Sequence, residues 1–284
     1  MNLLSLEASK DLLISIVSYG TNKNDISDVI SILKLHETEI SFDILVIDNM
    51  GSSDLSDFCK SIDIFYAFPG KNLGFGSGHN FASKYFNHSF KYHLILNPDV
   101  FIGPDAIQHV LQFLNNNSHV SLISPKLLNL DGSIQNICRF LPSPINLLKR
   151  FFLKIFSLNY YNEEDNFNLS NKPISVPSMH GACFFVRVDH FNKINGFDDS
   201  YFLYVEDIDL CREISALGDI IYLPTCSAIH KHAQGSYKNF NLFKYHLKSF
   251  IYYFFKWGLF FDNHRSNINK KATLGLKNLL NTDS

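Results

Sequence analysis

The stretch Leu94-Ile95-Leu96-Asn97-Pro98-Asp99-Val100 decides how the chain is read. An apolar strand, Tyr92 to Leu96, stops at Asn97-Pro98-Asp99. Proline has no amide hydrogen to give to a sheet ladder, so it marks where the chain leaves the sheet. Asp99 is thereby delivered to the carboxyl end of a buried strand, where open α/β sheets bind their ligands. A carboxylate there suits Mg2+ or Mn2+, with a substrate diphosphate completing the shell. The plainer alternative is a turn cap ahead of Gly103-Pro104.

Upstream, strand and helix alternate. Leu12 to Ser18 reads as a buried first strand ending at Tyr19-Gly20. Ile26, Val29, Ile30 and Leu33 then share one helical face behind the cap Asn24-Asp25. Phe42 to Ile47 is a second strand running into Asp48-Asn49, Leu55 and Phe58 open a short helix, and Ile62 to Phe68 is a third strand. Gly74-Phe75-Gly76-Ser77-Gly78-His79-Asn80 opens a helix to about Phe86, and Pro104 starts another, with Ile107, Val110, Leu111 and Leu114 inward. This alternation over the first ~120 residues predicts an α/β fold, a mainly parallel sheet with helices on both faces. Tyr19, Asp48, Asn97 and Asp99 all fall at strand ends, the place of a nucleotide-binding crevice.

Downstream the pattern changes. Val120 to Leu130, Asp131-Gly132 and Ser133 to Phe140 read as a hairpin with an Asp-Gly turn. Ser157 to Ser178 reads as a mobile excursion over the site or a variable loop. Met179 to Val188 is a strand containing His180-Gly181-Ala182, Asp189 to Ile194 a short helix, Glu206 to Leu217 a helix ended by Gly218, and Asp219 to Ile229 a last strand running into His230-Lys231-His232. Phe240 to Phe255 has apolar residues at helical spacing framed by Lys244, Lys248 and Lys256. A helix packed on the body and an interfacial helix on a membrane both fit it.

The 284 residues are 46% apolar, with a formal charge of −2, as expected of a folded protein without the basic footprint of nucleic-acid binding. Five cysteines, an odd number with no metal-ligand spacing, are expected to be reduced structural thiols in a cytoplasmic chain. Met1 to Asp11 does not read as a signal peptide, and no apolar run approaches the ~20 residues of a bilayer span.

Three further constellations could do chemistry. Gly74, Gly76 and Gly78 do not follow a first strand, so a dinucleotide fingerprint is a weak reading. Close approach of the backbone to a ligand or a neighbouring helix fits better, and a plain tight turn is the alternative. Glu206 and Asp207 with Asp209 are either acids in a favourable first turn or, behind the aromatic wall Tyr201 to Val205, a tuned general base. His230 or His232, followed by Gly235-Ser236 and Lys238, is a candidate metal or phosphate site.

In order and spacing, Asp48-Asn49-x-x-Ser52-x-Asp54, Asn72-x-Gly74-x-Gly76-x-Gly78-x-Asn80, Leu96-Asn97-Pro98-Asp99, Gly132-x-x-Gln135, Gly181-Ala182, Gly196-Phe197-Asp198, Phe202-x-Tyr204-x-Glu206-Asp207-x-Asp209-Leu210-x-x-Arg212 and His230 with Ser236 resemble family 2 glycosyltransferases, in the rhamnosyltransferase-like branch that builds bacterial surface polysaccharides. The resemblance covers about residues 12 to 260. It implies a GT-A domain over 1–235, with a nucleotide-binding half at 1–120 and an acceptor and catalytic half at 121–235, followed by a helical extension at 236–284. It implies inverting transfer from a nucleoside-diphosphate sugar, with thymidine-diphosphate rhamnose the best guess, to a glycan or lipid-linked glycan at the inner face of the cytoplasmic membrane. A non-catalytic nucleotide-sugar-binding subunit is the alternative. By motif, Tyr19, Asp48, Asn72, Gly74, Gly76 and Asn97 line the donor, and His180, Gly181 and Tyr204 lie on the acceptor side. Asp207 is the base, with Glu206 beside it. Asp99 and His230 hold Mg2+ or Mn2+. Asn97 stands where the family has the first acid of its Asp-x-Asp, which implies a less charged metal site.

Overall fold

A computed structural model describes residues 10–35, 40–86, 89–147, 164–231, 240–259 and 261–282. The chain in order forms β1 (Lys10–Ser18), α1 (Lys23–Leu33), β2 (Phe42–Asp48), α2 (Ser53–Ser61), β3 (Phe65–Ala67), α3 (Phe75–Ser83), β4 (Phe90–Leu96), β5 (Val100–Phe101), α4 (Pro104–Asn116), β6 (Val120–Leu128) and β7 (Cys138–Arg139). There follow α5 (Asp165–Asn168), β8 (Ile174–Ser175), β9 (Ser178–Met179), β10 (Cys183–Arg187), α6 (Val188–Lys193), α7 (Glu206–Ile214), β11 (Asp219–His230), α8 (Phe240–Trp257) and α9 (Asn263–Thr282).

The main sheet has the order β3-β2-β1-β4-β10-β6-β11-β5, with β8 on β11. β1, β2, β3 and β4 are parallel neighbours, and β6 and β11 are parallel to each other; β10 is antiparallel to both β4 and β6 and so joins the two blocks. Alternate residues of β1 serve opposite faces, as a pleated strand requires. Leu12, Ile14 and Ile16 pack in the cluster that holds Ile26, Val29 and Ile30 of α1, whereas Leu13 and Val17 join Leu45, Ile47 and Ala82 on the face of α3. The sheet with helices on both faces is the expected one.

Two expectations are corrected. Residues 120–140 do not form a two-stranded hairpin. The Asp131-Gly132 turn does reverse the chain, and Leu128 bridges Ile134, but the return segment then leaves for a separate small sheet, where β7 pairs β9. β6 is instead flanked by β10 and β11, which satisfy its ladder on both sides. The loop expected at 157–178 is structured from 164 onward. Phe167 and Asn168 are buried, the Asn168 side chain accepts from the Ile137 and Cys138 amides, and Ile174–Ser175 adds a strand to β11. Its first part, 157–163, lies outside the described residues. The third strand and the glycine-loop helix are also shorter than expected. The five cysteines are free, and four of them are buried.

The C-terminal helices are fastened to the body through α7. Asp209 accepts hydrogen bonds from Lys256 Nζ (2.7 Å), Trp257 Nε1 (2.6 Å) and the Tyr201 hydroxyl (3.2 Å). Arg212 makes a two-pronged pair with Asp262 (2.7 and 2.6 Å), donates to Tyr253 and lies 4.1 Å over the Trp257 ring. Lys256 also reaches Asp198 at 2.9 Å. α8 thus packs one face on the body, as one of its two sequence readings requires, while Phe243, Leu247, Ile251 and Phe255 on another face stay exposed. Among the described residues no helix is long and apolar enough to cross a membrane.

Both charges of the Arg212–Asp262 pair are buried. Replacing one partner strands the other charge out of water, a loss of about 3–5 kcal/mol. Arg212→Met is therefore expected to lower the denaturant midpoint sharply, and paired Arg212→Met/Asp262→Leu to recover part of it; equal midpoints for wild type and the single variant would contradict the assignment.

Candidate active site

The parallel strands β1, β2 and β4 end together: Ser18 is in register with Asp48, and Ile16 with Leu96. Beyond those ends, Asp48 is buried and its carboxylate is taken up within its own turn. It accepts from the Met50 amide (2.9 Å), the Ser52 amide (2.6 Å) and the Tyr66 hydroxyl (3.0 Å). Asn49 next to it is the tie to the glycine loop, donating to the Gly74 carbonyl (3.1 Å) and accepting from the Leu73 amide (3.1 Å). Asn72 closes that loop by accepting from the Gly74 amide at 2.8 Å. Tyr19 is exposed at the rim.

The glycines answer to crowding. Gly74 has φ +84°, and a Cβ there would stand 2.1 Å from the Phe202 carbonyl oxygen; at Gly76 it would stand 2.8 Å from Phe197. The backbone comes this close because the Phe75 amide donates to that Phe202 carbonyl and Asn80 holds both backbone groups of Phe197. The loop thus docks the 197–205 segment, the close-approach reading rather than the free turn.

That segment carries the carboxylates. Tyr204 (φ 69°) and Val205 (φ 71°) are both in the left-handed region, which side-chain-bearing residues seldom enter and a β-branched one least of all. They are held there by the Phe75–Phe202 bond, by Ser249 of α8 donating to the Leu203 carbonyl (2.9 Å), and by burial of Val205 against Tyr253. The strained turn launches α7 with Glu206 and Asp207 in its first turn. Asp207 accepts from its neighbour's amide at Ile208 (2.8 Å) and from the Gly181 amide (3.1 Å). One residue on, the Ala182 carbonyl accepts from the Asn97 amide at 2.9 Å. Gly181 sits close against its neighbours: a Cβ there would stand 3.0 Å from Asp207 Cβ, a tight approach, and in ordinary contact with the Phe75 ring at 3.7 Å. The loop before α3, the start of β10, the end of β4 and the start of α7 therefore meet at one point.

Asp99 belongs to the same cleft. Its carboxylate lies 3.4 Å from His230 Nε2. Gln135 fixes that imidazole: its amide nitrogen donates to the His230 carbonyl (2.9 Å), so its oxygen is the atom that faces Nδ1 (2.9 Å) and Nδ1 carries the hydrogen. In the neutral ring the Nε2 lone pair then points toward Asp99. One carboxylate and one imidazole, oriented from behind, fit a divalent cation whose remaining positions are filled by phosphate oxygens and water, with imidazole favouring Mn2+ over Mg2+. Among the described residues no group of three or more His, Cys, Asp or Glu side chains could hold a metal by itself. His180, exposed, stacks near His230 with ring centroids 6.0 Å apart. His232, Gly235, Ser236 and Lys238 lie outside the described residues.

The two adjacent acids differ in setting. Glu206 is buried, one of its oxygens lacks a protein partner, and burial together with the Asp207 charge pushes its pKa up to about 8. Asp207 is partly exposed at the cleft and accepts from two backbone amides. Of the two, Glu206 is the acid that burial holds in its neutral form. Sequence reasoning missed His246 of α8, which stacks on Tyr204 with centroids 4.8 Å apart. Burial lowers its pKa, and the negative charge of Asp207 pulls it back up. Its position one turn before Phe250 on an aromatic helix was the available signal.

The sheet and the cleft at its strand ends are those of the GT-A fold. In sequence the chain is similar to hexosyltransferases and rhamnosyltransferases. It is 31% identical over 169 residues to the low-salt glycan biosynthesis hexosyltransferase Agl10 of Haloferax volcanii, covering 59% of this chain and 51% of that one. It is 26% identical over 236 residues to rhamnosyltransferase WbbL of Escherichia coli, covering 77% and 84%. To the N-acetylglucosaminyl-diphospho-decaprenol L-rhamnosyltransferase of Mycobacterium tuberculosis it is 28% identical over 167 residues, covering 56% and 53%. The chain thus matches about half the length of two of these relatives. No family model matches it. Among solved structures, GalNAc-T7 with UDP, GalNAc and Mn2+ aligns over 79% of this chain and 44% of its own, with a TM-score of 0.59 at 11% identity. Residues 1–349 of TarS from S. aureus align over 78% and 60%, with a TM-score of 0.53 at 13% identity.

Because the Glu206 pKa of about 8 exceeds the ordinary 4.5, the folded protein keeps a proton that the unfolded chain releases between those values. The stability tied to the neutral acid is full below pH 4.5 and lost as pH rises through 8. Glu206→Gln, neutral at every pH, is expected to melt close to wild type at pH 5 and a few °C above it at pH 9; a difference independent of pH would show that Glu206 is not held protonated.

Proposed function

We propose that the chain transfers a sugar from a nucleoside-diphosphate donor to a hydroxyl of a growing polysaccharide, with inversion at the anomeric carbon. The observation that carries this reading is the Gly181–Ala182 link, which ties Asp207 on one side and Asn97, ahead of Asp99, on the other. A base and a diphosphate-side acid then face one substrate from opposite flanks.

A sugar hydroxyl is a weak nucleophile. The Asp207 carboxylate accepts its proton as the hydroxyl oxygen attacks the anomeric carbon and the bond to the diphosphate oxygen breaks. One base opposite the leaving group gives inversion in a single displacement. Glu206, held neutral behind it by burial, adds no second charge beside that carboxylate. The Gly181 amide keeps the Asp207 carboxylate aimed at the cleft, and the Gly74–Phe202 contact keeps the strained turn from relaxing. Asn72, Gly74 and Gly76 shape the donor side with Asn97, Tyr19 lies at its rim, and Asp48 acts through the turn it organises. His180, Tyr204 and His246 line the acceptor side. When bound at Asp99 and His230, a divalent cation supplies positive charge to the departing diphosphate. Relatives whose names specify rhamnose favour thymidine-diphosphate rhamnose as donor, and the decaprenol named for one of them favours a lipid-linked acceptor.

A donor screen scored by nucleoside-diphosphate release, with and without Mn2+ or Mg2+, tests the class. With the donor found, Asp207→Asn is expected to lower kcat about 10²–10⁴-fold while donor affinity stays within about threefold; near-normal turnover would remove Asp207 as the base. Gln135→Leu frees the His230 ring, so the metal concentration for half-activity is expected to rise about 10–100-fold with donor KM at saturating metal unchanged. An unaltered metal titration would separate Gln135 and His230 from the cation.

A further inference from the structure

We infer that the outer face of α8 is a docking surface for an anionic lipid bilayer, entered by the helix lying in the plane of the interface. Phe243, Leu247, Ile251 and Phe255 follow one another at four-residue spacing along α8, and they are 50, 51, 63 and 86% exposed. The ridge continues past the helix end in Leu259, 45% exposed, and Phe261, 99% exposed. Successive aromatic and aliphatic side chains left in water along some four helical turns cost too much to be an ordinary surface, where single apolar residues are scattered.

Charge identifies the occupant. Residues 240–282 carry six lysines and one arginine against a single acid, Asp262, in a chain whose total is −2. That acid is buried with Arg212 and Arg265, and Lys256 is taken up by Asp198 and Asp209. Lys244, Lys248, Lys270, Lys271 and Lys277 are exposed, and the described residues of this segment hold no exposed acid. Lys244 and Lys248 directly follow Phe243 and Leu247, on the flank of the ridge. An apolar ridge edged by lysines matches acyl chains beneath anionic headgroups, and each lysine near such a surface adds to binding that salt weakens. A second copy of the chain would bring the same positive charge to the same ridge, which opposes self-association through this face.

The inner face of the same helix holds the catalytic turn, through Ser249 on the Leu203 carbonyl and His246 on Tyr204. Docking the outer face therefore leaves these inner contacts, and the turn they hold, in place. This inference stands apart from the transfer reaction, since it requires no turnover.

The full chain is floated with vesicles of phosphatidylglycerol mixed with phosphatidylcholine, and with phosphatidylcholine alone, at low and high salt. Flotation with the anionic vesicles at low salt, at least about tenfold reduced by high salt and by Ile251→Ser/Phe255→Ser, is expected. Lys244→Glu/Lys248→Glu tests the same ridge from its charged edge and should give a similar loss, so the question stays answerable if the apolar variant misfolds in a melting scan. The single tryptophan, Trp257, is bonded to Asp209 on the inner face, so its emission should not shift on vesicle addition. Absence of wild-type flotation at low salt, flotation that neither double variant reduces, a shift in Trp257 emission, or a dimer in sedimentation that the ridge variants dissolve while none floats would each overturn the inference.

Discussion

The hydrogen bond from the Gly181 amide to the Asp207 carboxylate is the constraint on which the cleft depends. It exists because β10 runs antiparallel to β4 and begins where β4 ends, with Cys183 opposite Leu96. Gly181 and Ala182 therefore lie beside Asn97, one residue bonding inward to Asp207 and the next to Asn97. A Cβ at 181 would stand 3.0 Å from Asp207 Cβ, so a side chain there would crowd the carboxylate that the Gly181 amide holds.

Around that point the structure spends strain. Two consecutive left-handed residues, Tyr204 and Val205, are retained by bonds from three directions: the glycine loop, α8 and the buried aromatic cluster. Such strain survives only where the surroundings over-determine it. The C-terminal helices supply a large part of this support. Asp209 and Arg212, on the same helix α7 as Glu206 and Asp207, turn away from the cleft and bind Lys256, Trp257, Tyr253 and Asp262. The tail thereby helps to hold the turn that carries Glu206 and Asp207.

A second buried polar network lies away from the cleft. Ser15 bridges His79 and His93 at 2.6 Å each, all three inside the sheet–helix interface, and burial drives both imidazoles well below the usual histidine range, His93 to about 3. They are neutral at any physiological pH, so His79, though it stands in the glycine motif, serves the core. Its neighbours Gly76 and Gly78 give room to Phe197 and Val17 in the same way.

Much was legible in the sequence, because short-range rules govern it. Apolar runs, the Pro98 break and the 3.6-residue spacing determined the alternating strands and helices, and the ordered motifs Asn97-Pro98-Asp99 and Glu206-Asp207 marked the candidate acids. Misread were the 131–133 turn as a full hairpin and the 164–178 segment as a loop, because what those residues bond to, β9 and β11, lies far along the chain. The proton on Glu206, the tautomer of His230 and the place of His246 beside Tyr204 were decided only by tertiary structure. Each depends on desolvation or on a partner delivered by another element, and neither burial nor long-range proximity is encoded in local residue order.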